Sequence, residues 1–293
     1  MKAKLLTAIG LIVVLGLAAM FLRSNRGISV DGAAALPTKV VETDPLDAKS
    51  EMTMADVLQM AGDARRHMAE HLDDYTARFV KQERDENGQL GEETEFEMRV
   101  QTRLRGDTEE APLRVYLNYL APDNVKGREV LWAQDLNDGK MVVHEVGFLL
   151  SMKRIWLDPN GVIAMQGQRY PISEIGIVRL CEKLLERGEQ DRGNPDLQIS
   201  LTEDHMIGDV QAQLIRVRRL KPSGLEDDFS LAEIAIDPDR QLILQYRSFG
   251  WPEVEGDDPP LLESYTYHDV EINVGLTDDD FTPDNSNYNF PAF

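Results

Sequence analysis

The side chains able to do chemistry in this sequence are few and scattered. Five histidines and one cysteine are spread over 293 residues. His144-Glu145 lies in one expected strand, and Arg128-Glu129 lies in a strand nearby. Adjacent strand residues point to opposite faces, so His144 and Glu145 neither chelate one ion nor form one acid–base pair. His268-Asp269 fails for the same reason. Arg128, Glu129, His144 and Glu145 together remain a candidate polar site. No HExxH, CxxC or GxSxG spacing occurs. Asp135-Leu136-Asn137-Asp138-Gly139 has the composition of a calcium loop. With Gly139 in the sixth place, however, the first and third ligands would be Gln134 and Leu136, so a hairpin turn is expected. Asp257-Asp258 and Asp278-Asp279-Asp280 read as solvated loops. Arg216, Arg218 and Arg219 read as the wet face of an alternating strand. The expectation is a domain that is not an enzyme, with no cofactor and no metal.

The elements that must position these residues follow from periodicity. Thr53 with Asp56 three residues on forms a capping-box pair. Met54, Val57, Leu58, Ala61, Met68 and Leu72 then recur at helical spacing. From 94 to 104, Thr94, Phe96, Met98, Val100, Thr102 and Leu104 alternate with charged or polar residues, which predicts a strand with one wet face. Leu113, Val115, Leu117 and Tyr119 supply a second apolar face, against Arg114, Tyr116 and Asn118. Turn signals stand at Glu86-Asn87-Gly88, Asn137-Asp138-Gly139 and Asp158-Pro159-Asn160-Gly161. A second helix is expected over 172–187, with Ile177, Leu180, Cys181, Leu184 and Leu185 inward and Gly188 as its C′ residue. That stripe places Cys181 in a core. Strands resume at 196–204, 209–220, 229–237, 241–249 and 262–273. The sum is a mainly β domain with covering helices (α+β): a large curved antiparallel sheet, an open half-barrel of about eleven strands, with two or three helices on its concave side.

Charge and hydropathy divide the chain. Lys2 and Lys4 precede an uncharged apolar run, Leu5–Leu22, closed by Arg23 and Arg26. Its helical length of about 27 Å nearly spans a hydrocarbon core. The run is long for a cleaved signal peptide, so residues 1–22 are expected to be a signal anchor, the signal peptide being the alternative. Residues 23–50 read as a flexible linker, and 51–293 as a single extracytoplasmic domain. Positive charge slightly favours a cytoplasmic N-terminus, which sets the domain on the periplasmic side of the inner membrane. Of the net charge of −21, residues 51–293 hold 25 basic and 48 acidic side chains. So acidic a domain repels phosphate backbones and excludes nucleic acid as a partner.

Three stretches carry a resemblance. They are Val125–Leu131 with Asn137–Met141 and His144-Glu145; Arg169-Tyr170-Pro171-Ile172-Ser173-Glu174-Ile175-Gly176; and Glu263–Tyr267 with Leu276-Thr277-Asp278 and Asp280-Phe281. Over residues 55–293 the chain resembles a family of bacterial exported proteins of unknown function. It is loosely similar to the LolA-like lipoprotein-carrier superfamily. That second resemblance implies an open half-barrel with helices as a lid over an apolar cavity, which binds acyl chains of lipoproteins or serves envelope sensing. A tethered chain departs from a shuttling carrier, because a 28-residue linker reaches only about 30 Å.

Two main functional readings follow. The first is a membrane-tethered binding domain whose cavity holds a lipid or acylated protein, lined by Phe96, Met98, Val115, Leu117 and Trp132. The second is an envelope protein-interaction or sensor domain with a packed interior. A third, an envelope hydrolase, requires a nucleophile converging on His144.

Overall fold

The structure, a computed structural model, describes residues 52–292 except 86–87, 107–109, 148–150, 225–227 and 255. The run Leu5–Leu22 and the linker 23–50 lie outside the described residues. Among the described residues no helix is long and apolar enough to cross a membrane.

The chain opens with α1 (Met54–His71), capped as its sequence requires. The Thr53 hydroxyl accepts from the Asp56 amide at 3.3 Å, and the Asp56 carboxylate accepts from the Thr53 amide at 2.8 Å. Six strands follow: β1 (Asp74–Glu83), β2 (Thr94–Gln101), β3 (Arg114–Ala121), β4 (Glu129–Ala133), β5 (Met141–His144) and β6 (Ile155–Leu157). Two helices come next, α2 (Val162–Met165) and α3 (Ile177–Gln190). Five strands complete the fold: β7 (Leu197–Ile207), β8 (Val210–Arg219), β9 (Leu231–Asp237), β10 (Leu242–Phe249) and β11 (Leu261–Ile272). All eleven strands form one antiparallel sheet in the order β6-β5-β4-β3-β2-β1-β11-β10-β9-β8-β7. Its two edges, β6 and β7, do not pair, so the half-barrel stays open.

The register explains the core. Val100 faces Val115, which faces Trp132, while Met98 faces Leu117, which faces Val130. Cross-strand partners share a face, so these rows form one continuous apolar surface. The Asn137–Gly139 turn between β4 and β5 needs three consecutive positive φ values, 54°, 55° and 70°. Asn, Asp and Gly tolerate that region best.

Four expectations are corrected. Strand β2 ends at Gln101, and residues 172–174 form a separate 3-10 turn before α3. The break comes at Gly176, whose φ of 111° excludes helix and whose missing Cβ leaves room for the Tyr75 hydroxyl. That hydroxyl accepts from the Ile177 amide at 3.1 Å, satisfying one donor of the α3 N-terminus. Gly188 is not a C′ residue, because α3 runs to Gln190 with Asp191 as its C-cap. A Cβ on Gly188 would lie 2.9 Å from Leu58 Cδ2, so the glycine instead allows α1 and α3 to approach. Finally, the second face of β3–β5 is not wet. Tyr116, Leu131 and Val142 are buried there with Tyr288 and Phe290 of the C-terminal tail, and Trp156 packs against them.

Candidate functional site

Helices α1 and α3 lie against the sheet across β8–β10, and an apolar cleft of about 50 Å³ remains between them and the strands. One wall is the α1 stripe Met54, Val57, Leu58 and Ala61, spaced as one helical face. The other is Leu184, Arg187, Gly188 and Asp191, which repeat that spacing along α3. The floor is Ile215 and Val217 of β8, Ala232, Ile234 and Ile236 of β9, and Ile243 and Tyr246 of β10, with Phe229 at one end. On β8 and β9 these are alternate residues, as a strand face demands. On β10 the alternation breaks. Ile243 faces Ile236 and Tyr246 faces Ile234, with a register shift between Ile243 and Gln245. The extra residue, Leu244, forms a bulge that turns Tyr246 into the cleft in place of Gln245.

The polar end of the cleft is built from groups distant in sequence. Arg219, expected on a wet face, is buried and donates to the equally buried Asp191. Its guanidinium carbon lies 4.6 Å from the Phe229 ring centroid, and that of Arg187 lies 5.7 Å from the same ring. Asp228, 3.6 Å from Arg219, accepts from Trp251 at 3.0 Å and from the Ser223 hydroxyl at 2.7 Å. Burial opposes its charge, but these hydrogen bonds hold its carboxyl below the usual range.

Tyr246 connects the cleft to a second buried group. Its ring stacks 6.4 Å from Tyr265, whose hydroxyl bridges Glu83 at 2.7 Å and Glu263 at 3.0 Å. Burial pushes Glu263 above the ordinary carboxylate range. Burial also acts on Glu83, but Lys81 at 3.1 Å and the donors around it bring it below. Each carboxylate therefore has partners of its own.

The structure divides the four residues of the candidate polar site into two pairs. Arg128 donates to Glu145 at 3.0 Å. Glu129, 2 % exposed, accepts from the Tyr116 hydroxyl at 2.8 Å and from the Asn289 amide at 2.8 Å, with His144 Nδ1 at 3.4 Å. Glu129 thus clasps the C-terminal tail, and Tyr288 stacks on Tyr116 at 3.9 Å beside it. Phe96, Met98, Val115, Leu117 and Trp132 are brought together, all buried in the main core. None of the five lines the cleft on β8–β10. Cys181 is buried, and desolvation pushes its thiol up to about 12, which disfavours the thiolate. Sequence periodicity placed the strands 229–237 and 241–249 without revealing the cleft, because the apolar run Leu242-Ile243-Leu244 hides the register shift on β10.

The open eleven-stranded sheet with helices on one face defines the class of fold. The chain belongs to the DUF1571 family, described as a protein of unknown function, whose model matches residues 72–290. No curated protein matches it. Among solved structures it is similar to MucB, at a TM-score of 0.41 and 14 % identity over 76 % of this chain and 62 % of that one. It is also similar to a DUF1329 family protein from Desulfovibrio piger, at 0.33 and 12 % over 78 % and 97 %. A LolA superfamily protein from Nitrosomonas europaea matches at 0.29 and 11 % over 76 % and 97 %. The chain spans 62 % of the length of MucB. At these scores the likenesses carry nothing about what this chain binds.

Proposed function

We propose that this is an extracytoplasmic binding domain, tethered by Leu5–Leu22, whose cleft under α1 and α3 holds a hydrocarbon chain. The observation that supports this reading is the cleft itself: an apolar floor of Ile215, Val217, Ala232, Ile234, Ile236 and Ile243 left incompletely filled by the two covering helices. An apolar void stays dry and accepts an apolar guest. Each buried methylene contributes about 0.8 kcal/mol, so four bind roughly 200-fold more tightly than none. In its present form the cleft has room for only a few water-sized groups, at roughly 10–15 Å³ each. A longer chain needs α1 to move away from α3, against contacts that include Arg65–Glu182 at 3.0 Å and the Cys181 thiol on the Ala61 carbonyl at 3.4 Å. A protein-interaction domain, the alternative, needs no such space. Titration with a fluorescent fatty-acid analogue separates the two. Wild type should bind it saturably, and Ala232→Trp should lose at least about tenfold in affinity while keeping a cooperative melt. A wild type that shows no saturable binding ends the hydrocarbon reading.

A further inference from the structure

The two edges of the sheet are guarded differently. The β6 edge is 3 residues long and offers little backbone to a partner. The β7 edge is 11 residues long, and no further strand lies beyond it. Edge strands are ordinarily protected by charges, prolines or bulges. Residues 197–202 hold no charge and no proline, and their register with β8 is unbroken until it shifts after Thr202. We infer that this stretch of β7 pairs with the same stretch of a second copy of the chain, antiparallel and centred on Ile199.

The direction of the backbone groups supports that pairing. The Leu220 amide donates to the Asp196 carbonyl at 2.9 Å, so Asp196 turns toward β8. Backbone groups alternate in direction along a strand, so those of Leu197, Ile199 and Leu201 point away from β8. Arg219, opposite Leu197, agrees: its amide turns away from β7 and donates to the Ser230 carbonyl at 2.9 Å. The N–H and C=O groups of Leu197, Ile199 and Leu201 thus form one open row. A two-fold axis at Ile199 sets Ile199 opposite itself and Leu197 opposite Leu201 of the second copy, for about six backbone hydrogen bonds.

The side chains are self-complementary in that register. Leu197, Ile199 and Leu201 face Arg219, Val217 and Ile215 of β8, and are half-buried against the core. Pairing continues this apolar row from one copy into the next. On the other face Gln198 meets Ser200, and Thr202 meets Asp196, whose carboxylate Lys221 holds at 2.8 Å. No like charges stand directly opposite each other. Away from the seam the copies repel, because residues 51–293 hold 25 basic and 48 acidic side chains. Salt therefore distinguishes the second copy from a basic foreign strand. The Debye length falls from about 30 Å at 0.01 M to about 3 Å at 1 M, so screening strengthens self-pairing and weakens attraction to a basic partner. The seam is short against the roughly 1,200–2,000 Å² of a stable interface, so the pair forms reversibly.

Sedimentation equilibrium of the full chain in detergent micelles tests this. Wild type should dimerise reversibly, about threefold or more tightly at about 0.5 M than at about 0.05 M salt. Ile199→Pro removes a donor from the open edge and none from the β7–β8 ladder, and should weaken the dimer about tenfold or more. Gln198→Glu with Ser200→Glu sets carboxylates opposite each other in this register and should weaken it as much. Its melt should stay that of wild type, because Arg218 and Arg216 stand beside the two positions on β8. Gln198→Glu with Ser200→Lys sets opposite charges together and should restore the dimer. A wild type that is monomeric at about 100 µM overturns the inference. A dimer that all these variants leave unchanged overturns it too, because the contact then lies elsewhere. If the Glu–Lys combination fails to restore pairing, the register centred on Ile199 is wrong. A dimer that weakens with salt is held by charge attraction, which contradicts an uncharged seam. All these outcomes leave the reading of the cleft where it stands.

Discussion

The two halves of this sheet carry similar strands and finish differently. On β3–β5 both faces are closed, while β2 keeps Glu97 exposed on its outer face. Phe96, Met98, Val115, Leu117 and Trp132 interdigitate on one side, and the tail residues Tyr288 and Phe290 seal the other. On β8–β10 one face is covered by α1 and α3, and a cleft remains between them and the strands. The contrast lies in the covering elements rather than in the hydrophobicity of the strands. A tail that lies flat can follow a sheet closely, whereas two helices set side by side leave a groove beneath their line of contact. Gly188 lets the helices come close at one end of that line, with Leu58 and Met54 across from it.

Mutations should break this contrast in a definite order. Phe96→Ala removes a fully buried ring between Phe79 and Tyr119, and should cost about 3–5 kcal/mol in chemical denaturation. Tyr288→Ala strips the stack on Tyr116 and loosens the tail, for a loss of about 2–3 kcal/mol. Overpacking discriminates the halves directly. Val115→Trp should destabilise by about 1–3 kcal/mol, because nothing next to it can yield. Ala232→Leu adds bulk toward the cleft and should cost less than about 1 kcal/mol. Equal costs for these two substitutions would mean that the halves are packed alike.

The smallest effect is a pH dependence at the second buried group. Because burial holds Glu263 above its ordinary range, the folded chain keeps a proton that the unfolded chain releases. Stability from that proton is complete below the unfolded value of about 4.5 and is lost as pH rises through the folded value. Glu83 runs the other way: its depressed value adds stability above about 4.5, which is lost on acidification. Glu263→Gln should therefore gain stability relative to wild type as pH rises above about 4.5, read as diverging melting temperatures. Parallel curves would show that Glu263 titrates as it does in the unfolded chain.

Local signals made much of this fold legible. Thr53 and Asp56 announced α1, alternation announced β2 and β3, and the run of strand segments gave the open antiparallel sheet. The site was harder to read because each of its parts depends on a distant partner. Alternation set Arg219 on the wet face, but Asp191, 28 residues earlier, supplies a buried carboxylate that draws it inward. Glu129 read as part of a polar site with Arg128, His144 and Glu145, but the Asn289 amide, 160 residues later, donates to it. The bulge at Leu244 reverses which β10 residues face inward, and an apolar run such as Leu242-Ile243-Leu244 does not show where alternation slips.

The central claim, that one half of the sheet admits hydrocarbon and the other does not, is tested most directly by methyl-resolved NMR. Isoleucine, leucine and valine methyls would be labelled and dodecanoate titrated into the full domain. The methyls of Leu58, Leu184, Ile215, Ile234, Ile236 and Ile243 should shift saturably, while those of Val100, Val115, Leu117 and Val130 stay in place. Shifts centred on Val115 and Leu117, or no saturable shift at all, would contradict the account.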